Sequence, residues 1–193
     1  MLIPLLVFST FAQSVRMEDL AAGKFLVAHR KLADASFSES VVLLVHYDGK
    51  GAMGIIVNRK SKLTVAKIFE DVQEAAGQSE PIFYGGPVEI RNVLALVRAD
   101  AKPRNATPVF QDIYLVTRKT ELDKSIARQP DPKLFRAFMG YSGWGAGQLE
   151  AELARGSWYI FPASAKTVFD SAPNAVWEKL IRLTEQQVAR IWN

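Results

Sequence analysis

Short apolar runs rich in β-branched residues recur along the chain, and most are too brief for helices. Lys24-Phe25-Leu26-Val27-Ala28 and Val41-Val42-Leu43-Leu44-Val45 read as buried strands. Asp48-Gly49-Lys50-Gly51 supplies turn residues, and Ala52 to Val57 makes a third strand, so positions 40 to 58 predict an antiparallel hairpin. Ile82-Phe83-Tyr84, Val93 to Val97, Ile113 to Val116 and Trp158 to Phe161 add further strands, the last ending at Pro162. Leu134 to Tyr141 predicts a strand feeding a glycine-rich segment.

Helical spacing is read in three places. Leu63, Val65, Ile68, Phe69 and Val72 predict one amphipathic helix ending before Gly77, with Thr64 as its N-cap. Gly147 to Ala154 has the Gln and Glu enrichment of a first helical turn, and Val176 to Ile191 predicts a terminal helix with a break near Thr184. The segment Asp100 to Pro108, with two prolines and an asparagine, predicts an exposed loop. No repeat, low-complexity tract or long linker interrupts the pattern, which gives one α+β domain over residues 21–193.

At 193 residues, 49% hydrophobic and 23% charged, the chain can bury a sizeable core, and disorder is not its expected state. The net charge of +4 is dispersed. Its densest basic cluster is Arg59, Lys60 and Lys62, which reads as a solvated turn or as a small phosphate-facing patch. Met1 to Ser14 carry no charge and include an apolar run from Leu2 to Phe8, too short for the roughly 20 residues of a spanning helix. Residues 1–14 therefore read as a signal peptide or as a disordered leader, although a signal peptide's basic n-region is absent.

Chemistry-bearing residues are sparse. The absence of cysteine excludes disulfides, thiolate metal sites and cysteine nucleophiles. His29 and His46 are the only histidines, and nothing in their spacing recommends a metal set. Ser142 lacks a Gly-x-Ser-x-Gly frame, and Glu150 and Glu152, two apart, would point to different faces of a helix. No cofactor fingerprint is present: the glycines of Gly140-Tyr141-Ser142-Gly143-Trp144-Gly145-Ala146-Gly147-Gln148 match neither a phosphate loop nor a dinucleotide turn. This segment reads as a structural corner packed on Trp144, or as a binding lip offering Trp144, Gln148 and backbone N–H groups.

That segment, together with Gly51-Ala52-Met53-Gly54-Ile55-Ile56-Val57-Asn58-Arg59 and Gly85-Gly86-Pro87-Val88, resembles the AlgH/YqgE-like family of bacterial proteins. The match runs from about Gly23 to Leu183. The resemblance implies a single α+β domain with a bifurcated, mixed and antiparallel β-sheet partly closed as a small barrel and surrounded by helices. It also implies a cytoplasmic location, against export through residues 1–14. The chain departs from the family pattern at Arg30 and Ala35, where prolines are usual, at Tyr47 in place of asparagine, and at Val97 in place of histidine.

The resulting functional reading is a non-catalytic binding or regulatory domain that recognises a protein or small ligand through Tyr141, Trp144, Gln148, His46 and Asn58. Two alternatives stand beside it. One is a transcriptional regulator, as some family members have been called, associating with nucleic acid through Arg59, Lys60 and Lys62. The other is a hydrolase of unrecognised type using His46 with Asp34 or Ser142.

Overall fold

The computed structural model describes residues 19–128, 131–170 and 172–191, so the leader expected at residues 1–14 lies outside the described residues. Ten strands form the sheet: β1 (Lys24–Ala28), β2 (Val41–Asp48), β3 (Gly51–Ile56), β4 (Lys60–Thr64), β5 (Pro81–Tyr84), β6 (Val88–Arg98), β7 (Thr107–Phe110), β8 (Ile113–Val116), β9 (Phe135–Gly145) and β10 (Trp158–Pro162). Among the described residues four α-helices accompany them: α1 (Val65–Ile68), α2 (Lys119–Ala127), α3 (Gln148–Ala154) and α4 (Pro173–Ile191).

The sheet order is β10-β1-β2-β3-β9-β6-β8-β7, with β5 joining β9 in parallel and β4 joining β5, while the other pairings are antiparallel. Strand β9 is the branch point. Its first half pairs with β5 and β6, and residues 142–145 pair with β3. Between the halves, Gly140 takes φ +68° and a Cβ there would sit 2.5 Å from the Gly86 carbonyl oxygen. At Gly86 itself, a Cβ would overlap the Tyr141 carbonyl. Only glycine allows the β5–β6 turn to cross β9 this closely. Gly85 locks the crossing: its N–H donates to Met139 O (2.8 Å) and its C=O accepts from Ile56 N (2.8 Å). The strongly curled, bifurcated sheet in one α+β domain is the architecture expected.

Alternation along β9 serves two cores. Phe138 and Trp144 enter a larger cluster with Phe25, Leu43, Ile55, Trp158 and Trp177. Phe135 and Ala137 enter a smaller one with Phe69, Ile82, Val116, Leu122 and Ile126. Strands β1 and β2 are buried along most of their length because α4 and the rest of the first core cover them, hence their unbroken apolar runs.

Three local expectations differ from the structure. The helix expected over 63–76 divides into α1 and a 3-10 turn at Gln73–Ala75, since Lys60 to Thr64 are drawn into β4 alongside β5. Thr64 is nevertheless the N-cap, its Oγ1 accepting from Lys67 N (3.3 Å). The exposed loop ends earlier than expected, because β7 begins at Thr107. Helix α4 runs through Thr184 without a break, and the Thr184 hydroxyl donates to Leu180 O (3.3 Å). No helix among the described residues is long and apolar enough to cross a membrane.

Candidate functional site

Trp144 is 5% exposed at the end of β9, and its indole N–H donates to Glu152 Oε2 (3.0 Å). The buried Trp158 at the start of β10 donates to the same oxygen (2.8 Å). An indole N–H has no second role in hydrogen bonding, so one carboxylate oxygen satisfies two buried donors from two strands. Gln148, one turn earlier on α3, accepts from Gly145 N (3.2 Å) and donates to Glu152 Oε1 (3.1 Å). Phe37 completes the node, stacked on Trp144 at 5.9 Å and edge-on to Trp158 at 5.5 Å. As the two-residue spacing implies, Glu150 points elsewhere and accepts from Tyr47 Oη (2.6 Å). That hydrogen bond, with burial second, pushes the Tyr47 phenol up to about 12.

Beside this node lies a cleft of about 960 Å³, between the segment from His29 to Phe37 and the turn that joins α3 to β10. The turn follows from sequence. Gly156 takes φ +74°, Gly156 N bonds Leu153 O (2.8 Å) and Ser157 N bonds Glu152 O (3.0 Å), a Schellman termination that leaves Arg155 at the cleft rim. On the opposite wall, His29 Nδ1 accepts from Lys31 N (3.0 Å), so the neutral ring carries its hydrogen on Nε2. The His29 ring lies 5.5 Å from that of Tyr159, whose phenol is pushed up by burial and, secondarily, by Glu185.

Charge in the cleft divides sharply. Its two acids are engaged internally: Glu152 takes the three N–H bonds above, and Asp34 accepts from Ser36 N (2.8 Å). Its two long cations, Lys31 and Arg155, are exposed and form no ion pair among the described residues. The neighbouring Arg30 clamps α4 to the cleft wall through Glu178 (3.1 Å) and Glu185 (2.7 Å), with its guanidinium 5.0 Å over the Trp177 ring. That guanidinium, aided by Arg182, holds the Glu178 carboxyl down at about 2.

Of the residues expected at a site, Trp144 and Gln148 meet at Glu152, and the others lie elsewhere. Tyr141 lines a separate hollow of about 490 Å³ with Phe69, Arg91 and Leu122. His46, exposed after a bulge in β2, sits 3.2 Å from Asp48. Asn58 bridges backbone, accepting from Val41 N (2.8 Å) and donating to Glu39 O (2.9 Å). Arg59 likewise donates to the carbonyls of Ser36 (2.8 Å) and Ser38 (2.9 Å), whereas Lys60 and Lys62 are exposed on β4. Ser142 is fully buried, its hydroxyl on Gly85 O (3.3 Å). Among the described residues, no group of three or more His, Cys, Asp or Glu is placed to hold a metal ion.

Sequence reasoning missed Glu152, Phe37, Lys31 and Arg155 as partners in one place. The pair at 148 and 152 is a readable i,i+4 spacing, and Arg155-Gly156 is a readable helix stop. The contact of Phe37 with Trp144 carries no local signal.

Comparison with known proteins agrees with this architecture. A family model described as DUF179, AlgH-like, matches residues 25–189. A UPF0301 protein of Streptomyces coelicolor is 33% identical over 172 residues, covering 88% of this chain and 89% of the relative. One from Coxiella burnetii is 34% identical over 169 residues, covering 86% and 90%. The solution structure of the AlgH protein from Pseudomonas aeruginosa superposes with a TM-score of 0.70 at 29% identity, covering 84% of this chain and 88% of that one. Protein DIP2367 of Corynebacterium diphtheriae shares the fold with a TM-score of 0.71 at 23% identity, covering 84% and 86%. With the family model spanning most of its length and these relatives matching nearly end to end, the chain belongs to the AlgH-like, UPF0301 family.

Proposed function

We propose that this AlgH-like chain is a non-catalytic binding domain that recognises a protein or small ligand in the cleft between residues 29–37 and the α3–β10 turn. The observation that carries the reading is the node at Glu152. Two indoles, Gln148 and Phe37 gather around Glu152 from four separate segments, and three members of that node, Phe37, Glu152 and Trp158, line the cleft, which supports a site held in shape before anything enters it. Its lining mixes aromatic surface with a few polar and charged groups, as recognition sites do. The hydrolytic alternative has less support, because Ser142 is buried on a carbonyl and exposed His46 faces Asp48. The nucleic-acid alternative also has less, since Arg59 is engaged by two backbone carbonyls and leaves only Lys60 and Lys62 of its cluster.

The test is affinity capture from native cells of the full-length protein and of Ala33→Trp, which fills the cleft from an exposed position. Bound proteins and small molecules are identified by mass spectrometry. A partner lost from a variant that melts as the parent does supports the cleft. An unchanged set of bound molecules would sink it.

A further inference from the structure

The cleft opens onto an unpaired sheet edge. Among the described residues β10 pairs only with β1. In that ladder His29 N bonds Ser157 O (2.9 Å) and Ala163 N bonds Gly23 O (3.0 Å), which fixes the register: residues 157, 159, 161 and 163 turn their backbone groups toward β1. The N–H and C=O groups of Trp158 and Ile160, and the C=O of Pro162, therefore face outward. Pro162 itself falls on the outward phase, where a missing N–H leaves the β1 ladder intact and blunts one end of the edge. The other end, at Ser157, Trp158 and Tyr159, is part of the cleft wall.

We infer that the ligand of the cleft is an extended acidic peptide that adds a strand to the free edge of β10 and places carboxylates against Lys31 and Arg155. This rests on the reading of the cleft as a binding site and adds its partner class. Edge addition supplies affinity through main-chain hydrogen bonds to Trp158 and Ile160. Alternate side chains would then reach the cleft, where the Tyr159 and His29 rings, 5.5 Å apart and tilted by 31°, offer aromatic surface. Charge sets the sign of the ligand: both acids of the cleft are engaged by internal N–H donors, whereas neither cation forms an ion pair among the described residues. A small dicarboxylate would satisfy the cations and leave the strand edge unused.

The test selects a randomised heptapeptide display library against the full-length protein. Selected sequences are expected to carry Asp or Glu at alternate positions, and the selected peptide, added to labelled protein, is expected to shift the backbone amides of Trp158 and Ile160. Arg155→Glu should weaken binding by about tenfold or more, and Arg155→Lys by much less. Ile160→Pro, which removes an outward N–H together with the half-buried Ile160 side chain, should also weaken binding by about tenfold or more; a peptide N-methylated on its pairing face removes the hydrogen bond from the ligand side and leaves the protein's packing untouched. Failure to enrich any peptide, enrichment without acidic residues, or equal binding of the N-methylated peptide overturns the inference. So does tight binding of a dicarboxylate such as phthalate with no peptide preference. If Ala33→Trp still abolishes capture while no peptide is selected, the cleft stands and only the partner class fails; if neither effect is seen, both fail.

Discussion

Two glycine-rich places meet on β9, and they do different work. At its middle, Gly140 and Gly86 stand where a Cβ would collide with backbone, and each has positive φ. At its end, Gly143 and Gly145 have no positive φ and no close backbone: a Cβ on Gly145 would meet nothing within 4 Å. The first place is a crossing of chains that glycine alone permits. The second is an open lip beside Trp144, where the fixed element is a carboxylate holding two indoles rather than the glycines themselves. A dense run of glycines in a sequence is thus not one device, and the difference is measurable.

The largest expected effect is at the crossing. Gly140→Ala combines a left-handed backbone with overlap on Gly86 O and Val88 O, and should lower stability by about 3 kcal/mol or more in urea denaturation. Gly145→Ala should be neutral or stabilise by about 0.5 kcal/mol through the unfolded chain. Equal losses from the two would erase the distinction. Next comes Glu152→Ala, which strands two buried indole N–H groups and should cost about 3 kcal/mol, read from tryptophan fluorescence during unfolding. Gln148→Ala, at an exposed position, should cost under about 1 kcal/mol. A Glu152→Ala protein as stable as the parent would show that the node does not hold the cleft.

The contrast also explains what could be read before the structure. Strand runs were legible because period and composition are local, as in β1, β2, β8 and β10. So were the Thr64 cap and the divergence of Glu150 from Glu152. The crossing at Gly86 and Gly140 was legible only as turn-like composition, because its reason is the approach of two segments 54 positions apart in the chain. Strand β4 was hidden because Lys-Ser-Lys-Leu-Thr has no strand signature and gains its ladder from β5. The site was half legible. Trp144 and Gln148 stood out, but Phe37, Lys31 and Arg155 join them only once α3 and the loop after β1 face each other. Arg30 and Tyr47, where the resemblance leads one to expect proline and asparagine, each have a partner of their own: Arg30 clamps α4, and Tyr47 bonds Glu150.

The smallest expected effect tests that last contact. Its hydrogen bond to Glu150 raises the Tyr47 phenol from an ordinary 10 to about 12 because the phenol, and not the phenolate, can donate to a carboxylate. A group whose folded-state pKa is raised contributes stability below its unfolded value and loses it as pH climbs through the folded value, so this contribution is complete below about pH 10 and fades between 10 and about 12. Tyr47→Phe should therefore lose slightly in stability at neutral pH and fall off less steeply in that alkaline window, the change kept small by solvent screening at a partly exposed pair. Subtracting the phenolate absorbance of Tyr47→Phe from that of the parent, with circular dichroism confirming that both remain folded, isolates the one phenol. A difference curve centred near 10 would mean that Tyr47 does not reach Glu150 in solution, and that α3 is tied to the lip by its Glu152 side alone.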